Sequence, residues 1–150
     1  MNTQMDFIEI ITFKDACECK ALDSKSINLW NFDQWENELK KENVVAFGSK
    51  SNNQIISICV LYNNFEKVEI NYFSVHPSFT RKGLGKKLLY KIFEYCSNKK
   101  IEEIILEVSS TNSVAKEFYS KFGFKTIAIR KNYYRNGSDA LIQQKKLLKK

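Results

Sequence analysis

The feature that most restricts the fold of this chain is an apolar strand that runs into a glycine-containing loop and then into an amphipathic helix. Residues 68–75 have the strand pattern, and Gly83 and Gly85 lie in the loop. Apolar side chains then recur at helical spacing, at Leu84, Leu88, Leu89, Ile92, Phe93 and Cys96. The start of such a helix offers unpaired backbone N–H groups at the positive end of the helix dipole, an arrangement that binds phosphate. A plain connecting turn would place glycines there equally well.

The residues around the loop narrow its chemistry. Basic side chains surround it, at Arg81, Lys82, Lys86 and Lys87, which favours an anionic ligand. The loop lacks the Gly-x-x-x-x-Gly-Lys-Ser/Thr pattern of nucleoside-triphosphate-binding loops, and Leu88 stands where a Gly-x-Gly-x-x-Gly motif has its third glycine. Common kinase and dinucleotide-binding functions are therefore disfavoured.

The other patterns predict one mixed α/β domain over residues 1–150. Strands are predicted at residues 7–13, 44–48, 55–62, 68–75, 101–108, 124–130 and 139–148. Helices are predicted at residues 27–41 with Asp33 as a candidate cap, after Gly83, and from Asn112 to Gly123. The order is strand, helices, three strands, helix, strand, helix and two strands, with Asn136-Gly137 as a turn signal between the last two.

Within residues 68–75 the apolar pattern slips by one position. It alternates through Val68, Ile70 and Tyr72 and then continues at Phe73 and Val75. A β-bulge produces such a slip and redirects backbone groups, often beside a functional site. A short strand with apolar side chains on both faces and no bulge would give the same sequence pattern.

Charge and cysteine content restrict the partners. The net charge of +7 comes from the end of the chain, because residues 1–124 carry 16 basic and 16 acidic side chains whereas residues 125–150 carry 8 basic and one acidic. This basic segment could attract a phosphate-bearing ligand or a ribosomal surface, or only aid solubility. The four cysteines have no Cys-x-x-Cys spacing, so no metal site is expected, and Cys59 and Cys96 are expected to be reduced core residues.

No apolar run reaches the roughly 18 residues of a membrane span, and the N-terminus lacks the layout of a signal peptide. We therefore expect a cytoplasmic protein with no membrane partner and no specific DNA binding.

Four separated motifs carry a resemblance to a known family. They are the Thr-Arg-Lys-Gly-Leu-Gly loop at residues 80–85, Ile-Leu-Glu-Val at 105–108, Asn112, and Phe-Tyr-Ser-Lys-Phe-Gly-Phe at 118–124. In this order they resemble the GNAT acetyltransferase superfamily. The tail at residues 130–140 and Trp30 before a helix resemble its RimI-like branch, the ribosomal-protein-alanine N-acetyltransferases. The resemblance covers about residues 68–145 and implies a central mixed sheet of six to seven strands, strongly twisted and splayed at its centre, flanked by about four helices.

The resemblance also implies a cosubstrate, acetyl-coenzyme A, and the residues that hold it. The strand backbone at Phe73, Ser74 and Val75 would pair with the pantetheine arm. The loop would hold the pyrophosphate through Arg81, Lys82, Gly83, Leu84, Gly85 and Lys86. Asn112 would contact the cosubstrate as well as cap its helix. Thr80 departs from the family's usual Gln or Arg, which bears on affinity rather than on the identity of the cosubstrate.

For the chemical step the resemblance assigns Glu107 as the base, acting through water, and Tyr119 as the acid. An amine must lose a proton as it attacks a thioester, and the departing thiolate must gain one. Glu107 is the only carboxylate in the apolar run 104–108, which predicts that it is buried, although an exposed strand residue paired with a lysine fits the same letters. Tyr119 could equally be a packing residue. A backbone N–H freed by the bulge near residues 73–75 could stabilise the developing oxyanion.

The acceptor implied by the branch is a protein or peptide N-terminus, such as that of a ribosomal protein, with Trp30, Tyr133 and Tyr134 as substrate-binding residues. Surface packing would explain the two tyrosines equally well, and His76 is expected to be structural. Two alternatives stay open: acetylation of a small amine such as a polyamine or aminoglycoside, and a non-catalytic module that binds coenzyme A or docks on the ribosome through the basic C-terminal segment. A basic acceptor wall would count against the small amines.

Overall fold

The computed structural model describes residues 7–147. In this part of the chain seven strands and four helices follow the predicted order. The strands are β1 (Glu9–Ile11), β2 (Val44–Ser51), β3 (Gln54–Asn63), β4 (Lys67–Val75), β5 (Glu103–Ser109), β6 (Lys125–Arg130) and β7 (Ala140–Lys146). The helices are α1 (Ala16–Lys25), α2 (Phe32–Lys40), α3 (Leu84–Asn98) and α4 (Ser113–Lys121). The predicted mixed α/β class is confirmed.

All seven strands form one sheet in the order β1-β2-β3-β4-β5-β7-β6. Its one parallel pair is β4 with β5, and the register of this pair joins residues 67–70 to residues 103–106. Past Ile70 and Leu106 the two strands separate, whereas β5 stays paired with β7 along its whole length. The sheet is therefore splayed at its centre, as predicted.

A β-bulge in β4 accompanies the split. Val60 of β3 is opposite Tyr72 and Leu61 is opposite Ile70, so Asn71 is the extra residue. Ile70 belongs to the core under α3 and α4, whereas Tyr72 belongs to the core under α1 and α2. The predicted slip is present, but it falls before Tyr72 rather than after it.

Two apolar cores lie on opposite faces of the sheet. Residues of α3 and α4 form the larger core with β4 and β5, and its members include Leu88, Leu89, Ile92, Leu106 and Tyr119. Residues of α1 and α2 form the second core with β2, β3 and β4, and its members include Leu22, Trp35, Ile58, Val60 and Tyr72. Cys59 and Cys96 are both buried, and this burial raises the pKa of each thiol to about 12.

Some predicted boundaries in the first 41 residues are wrong. Helix α2 begins at Phe32, and its cap is Asn31 instead of Asp33. The Asn31 side chain accepts a hydrogen bond from the Gln34 backbone N–H, and the Gln34 side chain accepts one from the Asn31 backbone N–H. Helix α1 lies outside the predicted helix range of residues 27–41. Strand β1 is shorter than predicted because Thr12 caps a 3₁₀ turn.

No helix within residues 7–147 has the length and apolar character needed to cross a membrane. Within the same residues no cluster of three or more His, Cys, Asp or Glu side chains could hold a metal ion.

Candidate active site

A groove of about 550 Å³ lies where the sheet splits. Four parts of the chain form its walls: the end of β4, the loop before α3 with the first turn of that helix, one side of α4, and Ser26 and Ile27 from the loop between α1 and α2. Of the residues predicted to bind the cosubstrate, the groove is lined by Phe73, Ser74, Val75, Arg81, Gly83, Leu84, Gly85, Lys86 and Asn112. Lys82 belongs to the same loop but is not part of the lining.

The loop before α3 has the backbone conformation of an anion site. Gly83 caps α3 with φ of +80°, and Arg81 also has a positive φ of 64°. The first helical bond at this end is donated by Lys87 to the Gly83 carbonyl, so the N–H groups of the first turn have no partner within the helix. A Cβ at Gly85 would lie 3.5 Å from the Phe118 ring, so glycine keeps this part of the groove open.

The end of β4 presents backbone groups to the groove. On one side residues 73–75 pair with residues 57–59 of β3. On the β5 side, residues 71–75 have no strand partner in the described part of the chain, since the pairing stops at Ile70. Unpaired strand edges accept an extended ligand by adding hydrogen bonds to it. Side chains help to hold this end in place, because Ser74 donates to the Ser26 hydroxyl at 2.8 Å and Phe73 packs on Phe118.

Asn112 caps α4, because its side chain accepts a 3.1 Å hydrogen bond from the Ala115 N–H. The predicted cap is confirmed, and the predicted contact with a cosubstrate stays a prediction.

Tyr119 is 8% exposed and lines the groove. Its ring packs against Phe73, Phe118 and Phe124. Burial raises the pKa of its hydroxyl well above the usual value, with Cys59 adding to the shift. The hydroxyl therefore keeps its proton at neutral pH and can donate it.

Glu107 lies on β5, one residue past the last one that pairs with β4. Of the two alternatives that the sequence left open for Glu107, the exposed one is correct: its side chain is 34% exposed, because Leu106 and Val108 point into the core and Glu107 points the other way. The carboxylate accepts a hydrogen bond from the Tyr134 hydroxyl at 2.9 Å and lies 3.8 Å from the Arg130 guanidinium. It lines a second cavity of about 410 Å³, which shares β4 as a wall with the first groove.

Comparison with known proteins identifies the family. The model of the acetyltransferase (GNAT) family matches residues 12–124. The chain belongs to this family. An N-acetyltransferase was predicted from the sequence, and that prediction is confirmed.

Three relatives of this GNAT chain illustrate the similarity. A ribosomal protein bS18-alanine N-acetyltransferase of Haemophilus influenzae is 29% identical over 131 residues, which cover 85% of this chain and 88% of the relative. The crystal structure of the ribosomal-protein-S18-alanine N-acetyltransferase from Escherichia coli has a TM-score of 0.87 at 21% identity, covering 94% of this chain and 93% of that one. The PaiA N-acetyltransferase of Thermoplasma acidophilum, solved with coenzyme A, has a TM-score of 0.73 at 22% identity and covers 93% and 99%.

The predicted acceptor-side residues of the GNAT chain fall into two groups. Tyr134 lies next to Glu107, and burial together with the hydrogen bond to Glu107 raises the pKa of Tyr134 to about 12. Tyr133 is half exposed, packs on the Tyr134 ring and has the Arg130 guanidinium 5.5 Å from its ring centre. Trp30 instead packs on Trp35 and Tyr72, so its ring fixes the shape of the α1–α2 loop.

Two residues of this GNAT site were not predicted. The sequence placed Arg130 only in the segment at residues 130–140 that resembles the family. Its position beside Glu107 could not be predicted, because it depends on the pairing of β6 with β7. Asp23, which lies beside the groove rather than in its lining, was not predicted either, because a single acidic residue makes no sequence pattern. His76 makes a structural contact of the kind expected for it, because its Nδ1 accepts a hydrogen bond from the Ser78 backbone N–H.

Proposed function

We propose that this chain transfers the acetyl group of acetyl-coenzyme A to the N-terminal α-amine of a protein, with a ribosomal protein that begins with alanine as the leading acceptor. One observation carries the proposal: the sheet split brings an anion-binding loop and an unpaired strand edge to one groove, with Glu107 in the adjoining cavity. The choice of acceptor is supported by the relative from Haemophilus influenzae, whose name specifies the alanine of ribosomal protein bS18.

The groove fits acetyl-coenzyme A through two chemically distinct ends. The loop with Arg81, Lys82, Gly83, Leu84, Gly85 and Lys86 offers N–H donors and positive charge for the pyrophosphate. The edge of β4 at Phe73, Ser74 and Val75 offers backbone groups to the amides of the pantetheine arm. Asn112 would contribute a polar side chain between these ends.

The chemistry assigns opposite proton transfers to two residues. As the amine nitrogen bonds to the thioester carbon, it gives up a proton to Glu107, through a water molecule. As the carbon–sulfur bond breaks, the thiolate takes a proton from the Tyr119 hydroxyl, which burial keeps protonated. The products are the acetylated amine and coenzyme A. A backbone N–H beside the Asn71 bulge would stabilise the negative charge on the carbonyl oxygen.

The acceptor would approach through the cavity of Glu107. Tyr134 donates to Glu107 and can exchange this bond for one to the acceptor backbone, with Tyr133 beside it. Trp30 would act on the acceptor through the packing of the α1–α2 loop.

A small cationic amine is the second candidate acceptor, and a specific observation favours it. The cavity that contains Glu107 is also lined by Glu69 and Glu103, with Lys67 and Arg130 as the opposing charges. The acceptor wall is therefore mixed in charge, rather than basic as the composition suggested. Carboxylates would attract a polyamine.

The measurement that decides between these acceptors is thiol release from acetyl-coenzyme A by the purified protein. It is offered an alanine-starting ribosomal peptide, the same peptide with a blocked N-terminus, and spermidine. Turnover of the free-amine peptide alone supports the N-terminal function, and turnover of spermidine alone replaces it with the second candidate. Salt-dependent RNA binding through the basic C-terminal segment, with no thiol release, would instead support a non-catalytic module that docks on the ribosome.

A further inference from the structure

A buried carboxylate that the proposed chemistry does not use lies next to the groove. Asp23, near the end of α1, is completely buried. Its oxygens accept hydrogen bonds from the backbone N–H groups of Leu29 and Trp30, both at 2.9 Å, from the Trp35 indole at 2.9 Å, and from the Tyr72 hydroxyl at 2.8 Å. These four donors come from three parts of the chain: the loop after α1, helix α2, and strand β4.

The bonds leave Asp23 ionised. Burial alone would raise the pKa of its carboxyl, but the hydrogen bonds from Trp30, Leu29, Trp35 and Tyr72 together lower the pKa below the usual range. An ionised acceptor binds each of these donors more strongly than a neutral one would. The carboxylate is therefore a charged hydrogen-bond acceptor that links the loop to the sheet.

The loop held in this way forms part of the groove. Residues 26–31 join α1 to α2, and Ser26 and Ile27 line the groove opposite Ser74 and Val75. The backbone carbonyl of Asp23 also accepts from the N–H groups of Ser26 and Asn28. Both the side chain and the backbone of Asp23 therefore determine where this wall lies.

A chain of hydroxyls extends the connection to the strand edge. The Tyr72 hydroxyl lies 3.4 Å from the Ser26 hydroxyl, which accepts in turn from Ser74 at 2.8 Å. Tyr72 is also the residue that follows the bulge at Asn71. The wall made by the loop is thus fixed against the strand segment that leaves β5.

We propose that Asp23 is a positioning residue that holds the loop 26–31 against β4 and thereby sets the groove wall formed by Ser26 and Ile27. It acts on ligand binding through the loop, and it does not touch the reacting atoms. The wall belongs to the same groove as Phe73, Ser74 and Val75, so the ligand part that it shapes is the pantetheine arm proposed for that strand edge. The loop before α3 makes none of the hydrogen bonds described for Asp23, so we expect contacts with the pyrophosphate to depend on it less. This inference rests on the proposed function for the identity of the ligand.

The test compares Asp23→Asn and Tyr72→Phe with the matched control Tyr95→Phe. Tyr95 also uses its hydroxyl in a partly buried bond, to the Asn63 side chain, but away from the groove. For Asp23→Asn we expect the Kd of coenzyme A, from calorimetry, to rise about tenfold, while the Kd of ADP, which has the pyrophosphate but no pantetheine arm, changes less than about twofold. Tyr72→Phe should raise the Kd of coenzyme A about threefold, and Tyr95→Phe should leave it unchanged.

A second measurement separates this inference from the proposed function. Hydrogen exchange at the Leu29 and Trp30 amides should be slow in the wild type and faster in Asp23→Asn, whatever the acceptor. If the wild type acetylates no acceptor, the proposed function fails. Unchanged exchange at these amides in Asp23→Asn would overturn the inference, whatever the outcome for acetylation. Equal weakening of coenzyme A and ADP binding would overturn it as well. If Asp23→Asn does not fold, Tyr72→Phe decides by the same criteria.

Discussion

The Tyr134 hydroxyl donates a 2.9 Å hydrogen bond to Oε1 of Glu107, so the proposed base and a proposed acceptor contact are directly joined. The Arg130 guanidinium lies 3.8 Å from the other oxygen of the same carboxylate. The hairpin of β6 and β7 therefore positions both partners of a residue on β5, and changes in the hairpin should affect both acceptor binding and proton transfer.

Replacing the proposed acid and base should separate catalysis from binding. Glu107→Gln and Tyr119→Phe should each lower kcat by about 10²–10⁴-fold, the usual contribution of a positioned acid or base, with the Kd of coenzyme A unchanged. Steady-state kinetics and calorimetry measure the two quantities. Full activity in either variant would remove that residue from the mechanism.

Removing the Tyr134 hydroxyl should weaken acceptor binding. In Tyr134→Phe, Glu107 loses its 2.9 Å hydrogen bond and the acceptor loses a donor, so we expect the peptide KM to rise about fivefold. Tyr133→Phe is measured alongside it: Tyr133 is also proposed to bind the acceptor, but its described contacts are those of its ring, with Tyr134 and Arg130, so we expect a smaller rise in the peptide KM. A wild-type KM in Tyr134→Phe would exclude the hydroxyl contact.

The backbone conformation at Gly83 should affect how tightly the cosubstrate binds. Gly83→Ala places a side chain at φ of +80°, which costs about 1–2 kcal/mol and favours a shift of the loop before α3. Gly137→Ala is the control, since Gly137 has φ of +86° and, like Gly83, open space around its Cβ position, but lies in the β6–β7 turn. Both variants should lose similar thermal stability, and Gly83→Ala alone should raise the Kd of coenzyme A. Equal affinities in the two would contradict an anion site at Gly83.

Asp23 should make the stability of the fold depend on pH at the acid end. Because its pKa is lower in the folded chain than in the unfolded chain, its stabilising contribution is fully present above the unfolded value of about 3.9 and is lost as the pH falls through the lowered folded value. Asp23→Asn should remove this part of the acid dependence and cost about 1–3 kcal/mol at neutral pH, from buried donors left unpaired. Urea unfolding at several pH values measures both effects. An unchanged acid slope in Asp23→Asn would assign the dependence to other carboxyls.

Local signals predicted the parts of the site that depend on neighbouring residues. The helix spacing after Gly83 and the cap at Asn112 depend on contacts three or four residues apart, and both are present. The one-residue slip in β4 also follows from local alternation, although the sequence pattern did not identify Asn71 as the extra residue. The cap of α2 was missed because Asn31 and Asp33 are both good caps, and the loop held by Asp23 decides where the helix can begin.

By itself the sequence determined the order of the elements and the glycine-containing loop before α3, because periodicity and glycine placement act over short distances. The two residues proposed for proton transfer came only from the resemblance of the motifs to the family. Only the tertiary structure decided that β4 and β5 separate after four residue pairs, that Glu107 is exposed beside Tyr134 and Arg130, and that Asp23 accepts from Tyr72, 49 positions away. Alternation along a strand shows which side chains share a face, but whether a face is covered depends on which distant segments pack on it.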